Sequence, residues 1–265
     1  MSLSKLVSQN AQKALKAKTA FMLSLPNRLD RVIDRGFEFL FTYYDTSVNQ
    51  TSTFPPKPRP KEPLLPPFDD YLEVCHLTDN GSSHYIIINK FMAAFGHLVM
   101  TTDYKNANQG EKLNKSDFAT LSKVMSDFQG KGLGLYNSGH ESGCTQLHKH
   151  MQYVPVDENP LLENMISQDK MPFKYYTERV NNLSPNEISE CYNKLLSDSN
   201  YDGSYNFMIF KNHGFLIPRT HARHPSGKVI NALGVAGHWT IFDRMANTII
   251  KKHPMTVLEE LCIKI

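Results

Sequence analysis

This 265-residue sequence lacks the features that are typical of several protein classes. No window approaches the run of about 18 apolar residues that spans a bilayer, so we expect no membrane insertion. The cysteines, Cys75, Cys144, Cys191 and Cys262, form no Cys-x-x-Cys pair of the kind that marks zinc or redox sites, which favours a reduced, cytoplasmic or nuclear location. The 29 basic residues are nearly balanced by 26 acidic ones, which argues against a nucleic-acid-binding surface.

The first 29 residues contain no acidic residue, although lysines and an arginine are present. Mitochondrial transit peptides share this composition, but the segment lacks the arginine and serine richness of such signals. We therefore interpret residues 1–53 as a basic, helical N-terminal segment, and mitochondrial import stays an alternative. Leu29, Val32, Ile33 and Phe37 follow a roughly helical spacing there.

Seven prolines between Pro55 and Pro67 exclude a helix or an inner strand and predict a stiff connector. After it, strand-like and helical runs predict an α+β fold with a mostly antiparallel sheet. The expected strands are Tyr71–Leu77, His84–Lys90, His97–Thr102, Leu133–Asn137, His148–Val154, Tyr205–Phe210 and Phe215–Pro218. Helices are expected to begin at the caps Ser116 and Ser184, and a helical tail is expected near Leu258.

The segment from His148 to Gln152 carries the strongest chemical signal. Side chains alternate along a strand, so His148, His150 and Gln152 are expected on one face. Directly upstream, residues 137–146 form a small, polar, glycine-containing loop whose N–H groups can approach phosphate oxygens. Loop and strand together predict a nucleotidyl-transfer enzyme that forms a covalent nucleotide on His150.

An imidazole attacks only when it is neutral and when its other nitrogen is held by a hydrogen bond. A backbone carbonyl near His148 would supply that bond. Gln152 donates to a phosphoryl oxygen but cannot act as a general base on water, so the intermediate is expected to wait for a phosphate acceptor.

A bound zinc ion is an alternative use of the same histidines. His148 and His150 would provide two ligands, and His140, His97 or His84 would have to complete the site. Because the sequence contains no cysteine pair that could complete a zinc site, we rank zinc binding below nucleotidyl transfer as the role of these histidines and predict no metal site. An exposed polar strand face is a further alternative.

The segment Tyr136–Pro155 resembles the active-site segment of the fungal diadenosine tetraphosphate phosphorylases, also called ATP adenylyltransferases. These belong to the histidine-triad superfamily, on its galactose-1-phosphate uridylyltransferase branch. Further similarity lies in Ile88–Phe91, His97–Thr102, Ser204–Phe207, Lys211, Ile217–Ala222 and Ile230–Gly234. His140-Glu141 and Cys144-Thr145 depart from the usual residues of the loop.

The resemblance implies a role for each matching residue. His150 is the nucleophile, His148 accompanies it, and Gln152 is the third position of the triad. The residues implied in phosphate binding are Asn137, Ser142, Gly143, Thr145 and Gln146. Asn89 and Lys90 lie beside the nucleoside pocket, and Lys57 resembles the family's polyphosphate-contacting lysine. Lys57 and Lys211 are also candidates for stabilising the charge on the phosphoryl oxygens, and a solvated strand end is the alternative for Lys211.

The implied fold is a histidine-triad-like antiparallel sheet with packed helices, in two fused halves, residues 54–159 and 160–265. The implied reaction is phosphorolysis of diadenosine tetraphosphate to ADP and ATP through an adenylyl-histidine. Partners are then adenine dinucleotides, ADP, ATP and inorganic phosphate. The expected state is a monomer, without a required cofactor, although magnesium can accompany the nucleotide.

Two other functions stay open. One is a nucleotide-sugar phosphorylase or uridylyltransferase of the same superfamily, which shares the histidine and the glutamine. The other is a nucleotide-binding protein without catalysis. A histidine-triad hydrolase is disfavoured by Gln152.

Overall fold

The structure is a computed structural model that describes residues 1–44, 62–78, 81, 83–167, 170–245 and 248–265. Its strands are β1 (Phe21–Met22), β2 (Ser24–Asp34), β3 (Phe37–Tyr44), β4 (Glu73–Leu77), β5 (His84–Ile88), β6 (Phe91–Met92), β7 (Leu98–Thr102), β8 (Leu133–Ser138), β9 (His150–Val154), β10 (Tyr176–Arg179), β11 (Tyr205–Phe210), β12 (His213–Pro218) and β13 (His238–Ile241). Its α-helices are α1 (Leu3–Ala17), α2 (Lys115–Asp127), α3 (Pro160–Ile166), α4 (Pro185–Ser199), α5 (Ala232–Val235), α6 (Ile249–Lys252) and α7 (Pro254–Leu261).

An eight-stranded sheet, in the order β10-β12-β11-β8-β9-β7-β5-β4, forms the centre of the fold. All neighbouring strands in it are antiparallel, which confirms the expected α+β class with a large antiparallel sheet. β8 pairs with β11 along its whole length, so the sheet continues from the first half of the chain into the second. The boundary between residues 159 and 160 stays a prediction.

One face of the large sheet packs against α1, α2 and α4. Leu98 and Met100 of β7, and Met151 and Tyr153 of β9, occupy alternate positions on this face. They are buried in one hydrophobic cluster with residues of the three helices, which include Val7, Phe118, Leu121, Ile188 and Tyr192. We refer to this as the helical face.

The opposite face is covered by a second sheet, β13-β3-β2, and by α3, α5, α6 and α7. Leu133, Leu135 and Val154 of the large sheet are buried there with Phe41 and Trp239. We refer to this as the site face, because it also carries His150 and Gln152, which alternate with the buried residues of the helical face.

A small apolar cluster lies at the other side of the site face. Leu64 packs there against Ile87 of β5 and Val99 of β7. Val99 is the register partner of Gln152, and Val154 follows Gln152 by two residues on β9. The polar strip of β9 therefore lies between two apolar walls, where a flat organic group can be buried beside polar contacts.

The expectation of a helical segment over residues 1–53 is wrong for the described residues between α1 and Tyr44. β2 and β3 form a hairpin, and the two residues that join them, Arg35 and Gly36, both have positive φ, as in a type I′ turn. Phe39, Phe41 and Tyr43 are buried at every second position, whereas Ile33, which the helical spacing had assigned to an apolar face, is 73% exposed. The aromatic residues of β3 favour a strand.

Most other expected elements are present with small shifts of their ends. The helix expected to begin at Ser116 is capped two residues earlier, because the Asn114 side chain accepts from Ser116 N–H and Asp117 N–H. Ser184 caps α4 as expected. The strand predicted from His148 begins as regular strand only at His150, because His148 forms an isolated bridge with Asn108. α3 and β10 had no sequence signal that we interpreted.

Candidate functional site

His150 stands at the start of β9, opposite Thr101 of β7, and is 5% exposed. Its Nδ1 lies 2.8 Å from the carbonyl oxygen of His148 and donates to it. The proton is thus fixed on Nδ1, and the lone pair is on Nε2. Burial lowers the pKa of His150 to about 4, so the ring is neutral near pH 7. These are the two conditions for an attacking imidazole.

The side-chain amide of Gln109 holds the peptide groups of His150 in place. Its Oε1 accepts from His150 N–H at 2.7 Å, and its Nε2 donates to His150 C=O and to Asn137 C=O, both at 2.9 Å. Gln109 is 2% exposed, so each of these bonds replaces one that water would otherwise make. No sequence pattern indicates this role, because Gln109 lies 41 residues before His150 in an irregular segment.

His148 acts on the strand through its backbone and its ring. Its carbonyl receives the proton of His150, as described, and its Nε2 donates to the carbonyl of Thr102 at 2.8 Å. His148 is thereby tied to the end of β7. The ring of His148 therefore holds the residues just before β9 in place, while the ring of His150 keeps a free lone pair.

Lys149, between the two histidines, anchors the same segment to the helical face. It is 1% exposed, and its Nζ donates to Asp117 Oδ2 at 2.7 Å and to Lys112 C=O at 2.8 Å. Asp117 also accepts from His84 at 3.0 Å. Because Asp117 lies in the first turn of α2, this buried ion pair joins β9 to α2.

Gln152 is oriented by a second buried histidine, His97. Ala93 N–H donates to His97 Nδ1 at 3.2 Å, so the ring proton is on Nε2, which donates to Gln152 Oε1 at 2.8 Å. The amide nitrogen of Gln152 is then its remaining group, and it is a donor. Burial lowers the pKa of His97 to about 4, which keeps this arrangement neutral. Asn89 lies beside His97, with 3.2 Å between Asn89 Nδ2 and His97 Nε2.

The loop after β8 contains a short 3-10 turn, His140–Ser142, which contacts β8 and β11. Gly143 has φ +83°, and an added Cβ would lie 2.3 Å from the carbonyl oxygen of Ile230, so glycine is required there. The Ser142 hydroxyl donates to Gly139 C=O at 2.5 Å and supports the turn. Thr145 is exposed and Gln146 half-buried, so these two side chains are accessible to a ligand.

Residues from the second half of the chain hold this loop. Glu141 N–H donates to Ser204 Oγ at 3.0 Å, and Ala222 N–H donates to Glu141 Oε2 at 2.7 Å, which lowers the pKa of Glu141. Ile230 packs on Gly143, as described. Segments that resembled the family's C-terminal signature therefore support the loop.

A buried network extends from the loop through three side chains. Asn206 Nδ2 donates to Asn137 Oδ1 at 2.8 Å and to Ser142 C=O at 2.9 Å, and Arg219 donates to Asn206 Oδ1 at 2.6 Å. Asn137 Oδ1 also accepts from Ala232 N–H at 2.8 Å, at the start of α5. Asn137 is therefore held through its oxygen, and its amide nitrogen is its remaining donor.

The predicted lysines do not gather at His150 in the part of the chain that the structure describes. Lys57 lies outside the described residues. Lys90 pairs with Asp69 at 2.9 Å on the surface. Lys211 is in the β11–β12 turn, paired with Glu163 at 2.7 Å, and five residues of strand separate it from Asn206, roughly 17 Å. Lys211 therefore lies at the opposite end of β11 from Asn206, and its contact with a phosphate stays a prediction.

The described residues contain neither a metal-binding cluster nor a membrane-spanning helix. No group of three or more His, Cys, Asp and Glu side chains in them is arranged to hold a metal ion. None of the helices in the described ranges has the length and hydropathy needed to span a bilayer.

The free energy of unfolding is expected to fall between pH 6.5 and pH 5. Burial lowers the pKa of His97, His150 and His238 to about 4, whereas an unfolded histidine titrates near 6.5. Below pH 6.5 the unfolded chain takes up protons that the folded chain does not, so stability is lost by up to about 1.4 kcal/mol per histidine per pH unit. Urea unfolding at pH 7.5, 6.0 and 5.0 measures this, and a constant free energy would contradict the buried neutral rings.

The site combines a neutral buried histidine, an oriented glutamine amide and a glycine-containing loop. The sequence of the chain matches the models of two known domain families. Residues 1–174 match the family model described as the Ap4A phosphorylase N-terminal domain, and residues 169–264 match the one described as the ATP adenylyltransferase C-terminal domain. The chain belongs to the Ap4A phosphorylase family. The expected membership is thereby confirmed.

Individual relatives agree with the assignment of this chain to the Ap4A phosphorylase family. Diadenosine 5',5'''-P1,P4-tetraphosphate phosphorylase 2 of Saccharomyces cerevisiae is 25% identical over 211 residues, which are 62% of this chain and 64% of the relative. The alignment thus spans less than two thirds of the relative. Crystal structures of yeast Ap4A phosphorylase Apa2 in complex with Ap4A and with AMP have TM-scores of 0.80 and 0.79, identities of 18% and 21%, and cover 100% of this chain and 99% of each yeast chain. At these identities the likeness concerns the fold.

The two family models meet within residues 169–174. His150, Gln109 and the loop lie in the part that matches the Ap4A phosphorylase N-terminal domain. Ser204 and Arg219, which hold the loop, lie in the part that matches the ATP adenylyltransferase C-terminal domain. The site therefore needs both parts.

Proposed function

We propose that this protein cleaves diadenosine tetraphosphate with inorganic phosphate, giving ADP and ATP, through a covalent adenylyl group on His150. One observation carries the proposal. In a chain of this family, the hydrogen bond from His150 Nδ1 to His148 C=O leaves a neutral Nε2 lone pair on the site face. Such a nitrogen is a nucleophile for phosphorus.

The reaction is a pair of displacements at one phosphorus. In the first, Nε2 bonds to the α-phosphorus of the dinucleotide, the bond from that phosphorus to its bridging oxygen breaks, and ATP leaves. In the second, an oxygen of inorganic phosphate attacks the same phosphorus, the P–N bond breaks, and ADP leaves. The imidazole recovers its lone pair, so the enzyme is unchanged after two steps with ping-pong kinetics.

The neighbouring groups act on the charge that develops. When Nε2 bonds to phosphorus, the ring becomes an imidazolium, and the carbonyl of His148 at 2.8 Å from Nδ1 stabilises it. The amide nitrogens of Gln152 and Asn137 are the remaining donors of side chains whose oxygens are already held. Donors fixed in this way stabilise phosphoryl oxygens without reorganisation.

The fit of adenine nucleotides to the site is also a proposal, and the relatives support it. The yeast proteins of the same fold carry Ap4A or AMP in their crystal structures. The site face offers apolar walls on both sides of His150 and Gln152, which suits a nucleoside next to a phosphate.

The proposal is tested by incubating the pure protein with diadenosine tetraphosphate, with and without inorganic phosphate, and separating the products by chromatography. ADP and ATP that form only with phosphate are the expected result. AMP and ATP without phosphate would indicate a hydrolase. No cleavage of the dinucleotide would contradict the proposed substrate, and nucleotide sugars would then be the next substrates to assay.

Gln152→His is expected to divert the intermediate from phosphate to water. A histidine at this position can take a proton from water, which an amide cannot do. The measurement is the ratio of AMP to ADP at a fixed phosphate concentration, and we expect it to rise by at least about tenfold. Gln152→Asn, which keeps an amide, is the control, and an equal ratio in the histidine variant would show that Gln152 does not exclude water chemistry.

A further inference from the structure

β8 and β9 separate beside the proposed nucleophile. Their ladder ends at the pair of Leu135 and Gln152. Continued by two residues in the same register, it would pair Asn137 with His150, and both side chains would lie on the site face. On their other sides, Asn137 is paired with β11 and His150 with β7. The two strands therefore part from each other while each of them stays in the large sheet.

The side chain of Gln109 occupies the space between the separated strands. Its Oε1 accepts from His150 N–H at 2.7 Å, and its Nε2 donates to Asn137 C=O at 2.9 Å. These N–H and C=O groups would bond to each other in a continued ladder. The second amide proton goes to His150 C=O at 2.9 Å, and only this orientation of the amide pairs each donor with an acceptor. The amide is thus inserted into a hydrogen bond of the sheet.

The backbone of Gln109 is fixed to the chain on both sides of the separation. Gln109 N–H donates to Leu147 C=O at 2.8 Å, shortly before β9. Gln109 C=O accepts from the Tyr136 hydroxyl of β8 at 2.7 Å and from Gly139 N–H at 3.3 Å, just after β8. Because its backbone is held in this way, the amide has a fixed position between the strands and determines how far apart they lie.

The separation makes room between the nucleophile and the phosphate loop. In a continuous ladder, directly paired residues have Cβ atoms about 4.5–5.5 Å apart. In the proposed mechanism, a phosphoryl group has to fit between His150 Nε2, which attacks it, and the Asn137 amide nitrogen, which binds one of its oxygens. Attack requires about 3–3.5 Å between nitrogen and phosphorus, and the donor requires about 2.9 Å to oxygen. Separated strands meet both requirements more readily than paired strands do.

We propose that Gln109 is a positioning residue that holds β8 and β9 apart, and so sets the space in which a phosphoryl group lies between His150 and Asn137. The proposal rests on the proposed function for the presence of a phosphoryl group there. Gln109 acts in this role through the peptide groups of the two residues that meet the substrate. A shorter side chain would let the strands close, and a side chain of equal length without the amide would leave the peptide groups without partners.

Crystal structures of the wild type and of Gln109→Ala test the geometry without any substrate. In the alanine variant we expect the ladder to continue by one more pair, with His150 N–H bonded directly to Asn137 C=O at about 2.9 Å. Strands that stay apart in this variant would overturn the proposal. Absence of phosphorolysis in the wild type would count against the proposed function alone, because this comparison needs no turnover.

Gln109→Glu provides a readout that a purely structural role would not move. The introduced carboxyl has the length of the amide, but it can donate to Asn137 C=O only when it is protonated. Burial beside two carbonyl oxygens raises its pKa above the ordinary value of about 4.3, so the proton is retained at low pH and lost as the pH rises. As a fraction of the wild-type kcat, the kcat of the variant is therefore expected to be at least about fivefold higher at pH 6 than at pH 8.

Gln12→Glu, the same substitution at an exposed position of α1, is the matched control and should keep a constant fraction of the wild-type kcat over this pH range. A constant fraction in Gln109→Glu would overturn the proposal. The ratio to the wild type removes the titration of groups that the two proteins share.

Gln109→Met separates positioning from substrate binding. Methionine has a similar length but no amide, so kcat is expected to fall by on the order of 10²-fold, while the Kd of AMP changes within about threefold. Thermal unfolding shows whether the variant is folded, and Gln109→Glu at pH 6 carries the test if it is not. A folded methionine variant with a kcat within about twofold of the wild type would assign Gln109 to the fold alone and overturn the proposal.

Discussion

Replacing His150 with alanine is expected to lower the rate of diadenosine tetraphosphate phosphorolysis by on the order of 10⁴-fold or more. The variant lacks the only atom that bonds to the phosphorus in the proposed reaction, while the loop and the apolar walls are retained. Nucleotide binding is therefore expected to change little, within about threefold for AMP, because the imidazole acts mainly in the transition state. Rates are measured with saturating dinucleotide and phosphate.

Three further measurements make the His150 prediction specific. Acid-quenched wild type, incubated with labelled dinucleotide without phosphate, should retain label on the protein, and the variant should retain none. His253→Ala, at an exposed histidine just before α7, is the control and should keep full activity. Turnover of the His150 variant at a tenth of the wild-type rate would rule out covalent catalysis at this residue.

Arg219→Met is expected to lower the free energy of unfolding by about 3 kcal/mol. The Arg219 side chain is 1% exposed, and its guanidinium donates to Asn206 Oδ1 at 2.6 Å and to His221 C=O at 2.8 Å. Methionine fills a similar volume but leaves Asn206 Oδ1 buried without a donor, whereas the His221 carbonyl belongs to an exposed residue. The unsatisfied Asn206 oxygen costs about 1–3 kcal/mol, and the lost hydrogen bonds to His221 C=O and Leu261 C=O add to it, which outweighs the relief of removing a buried charge.

Urea unfolding measures the effect, and Arg223→Met is the matched control. Arg223 is exposed four residues later, and its side chain donates only to Gly227 C=O at 2.6 Å within the described residues, so its loss should cost less than about 1 kcal/mol. Phosphorolysis by folded Arg219→Met is expected to fall as well, because Asn206 loses the bond that positions it against Asn137. Equal stability of the two variants would show that the Arg219 network contributes nothing to the fold.

Local rules predicted the features of the site that depend on neighbouring residues. Alternation along a strand placed His150 and Gln152 on one face, and the turn composition of residues 137–146 predicted the loop. The same local rules were misleading near the N-terminus, because a helical spacing of Leu29 and Ile33 coexists with alternating aromatic residues in β3, and the packing of β3 on Trp239 decides in favour of the strand.

Long-range contacts explain what the sequence could not predict. Gln109 reaches His150 across 41 residues, and His97 reaches Gln152 across 55. No periodicity or turn signal identifies such partners, because their roles follow from sheet order. Lys211 shows the converse, since it fits a family motif but lies at the opposite end of β11 from Asn206.

The dependence of the phosphate loop on Ser204, Asn206 and Arg219 has a consequence for how the protein is made. When residue 152 has left the ribosome, the nascent chain contains the nucleophile and its glutamine, but the residues that hold the loop have not been synthesised. Domains generally fold as they emerge, N-terminal part first. Under the proposed function, a translation product that stops before Ser204 would contain His150 but would not bind a phosphate, because the residues that hold the loop would be missing. Catalysis therefore begins only after the chain has been synthesised beyond Arg219.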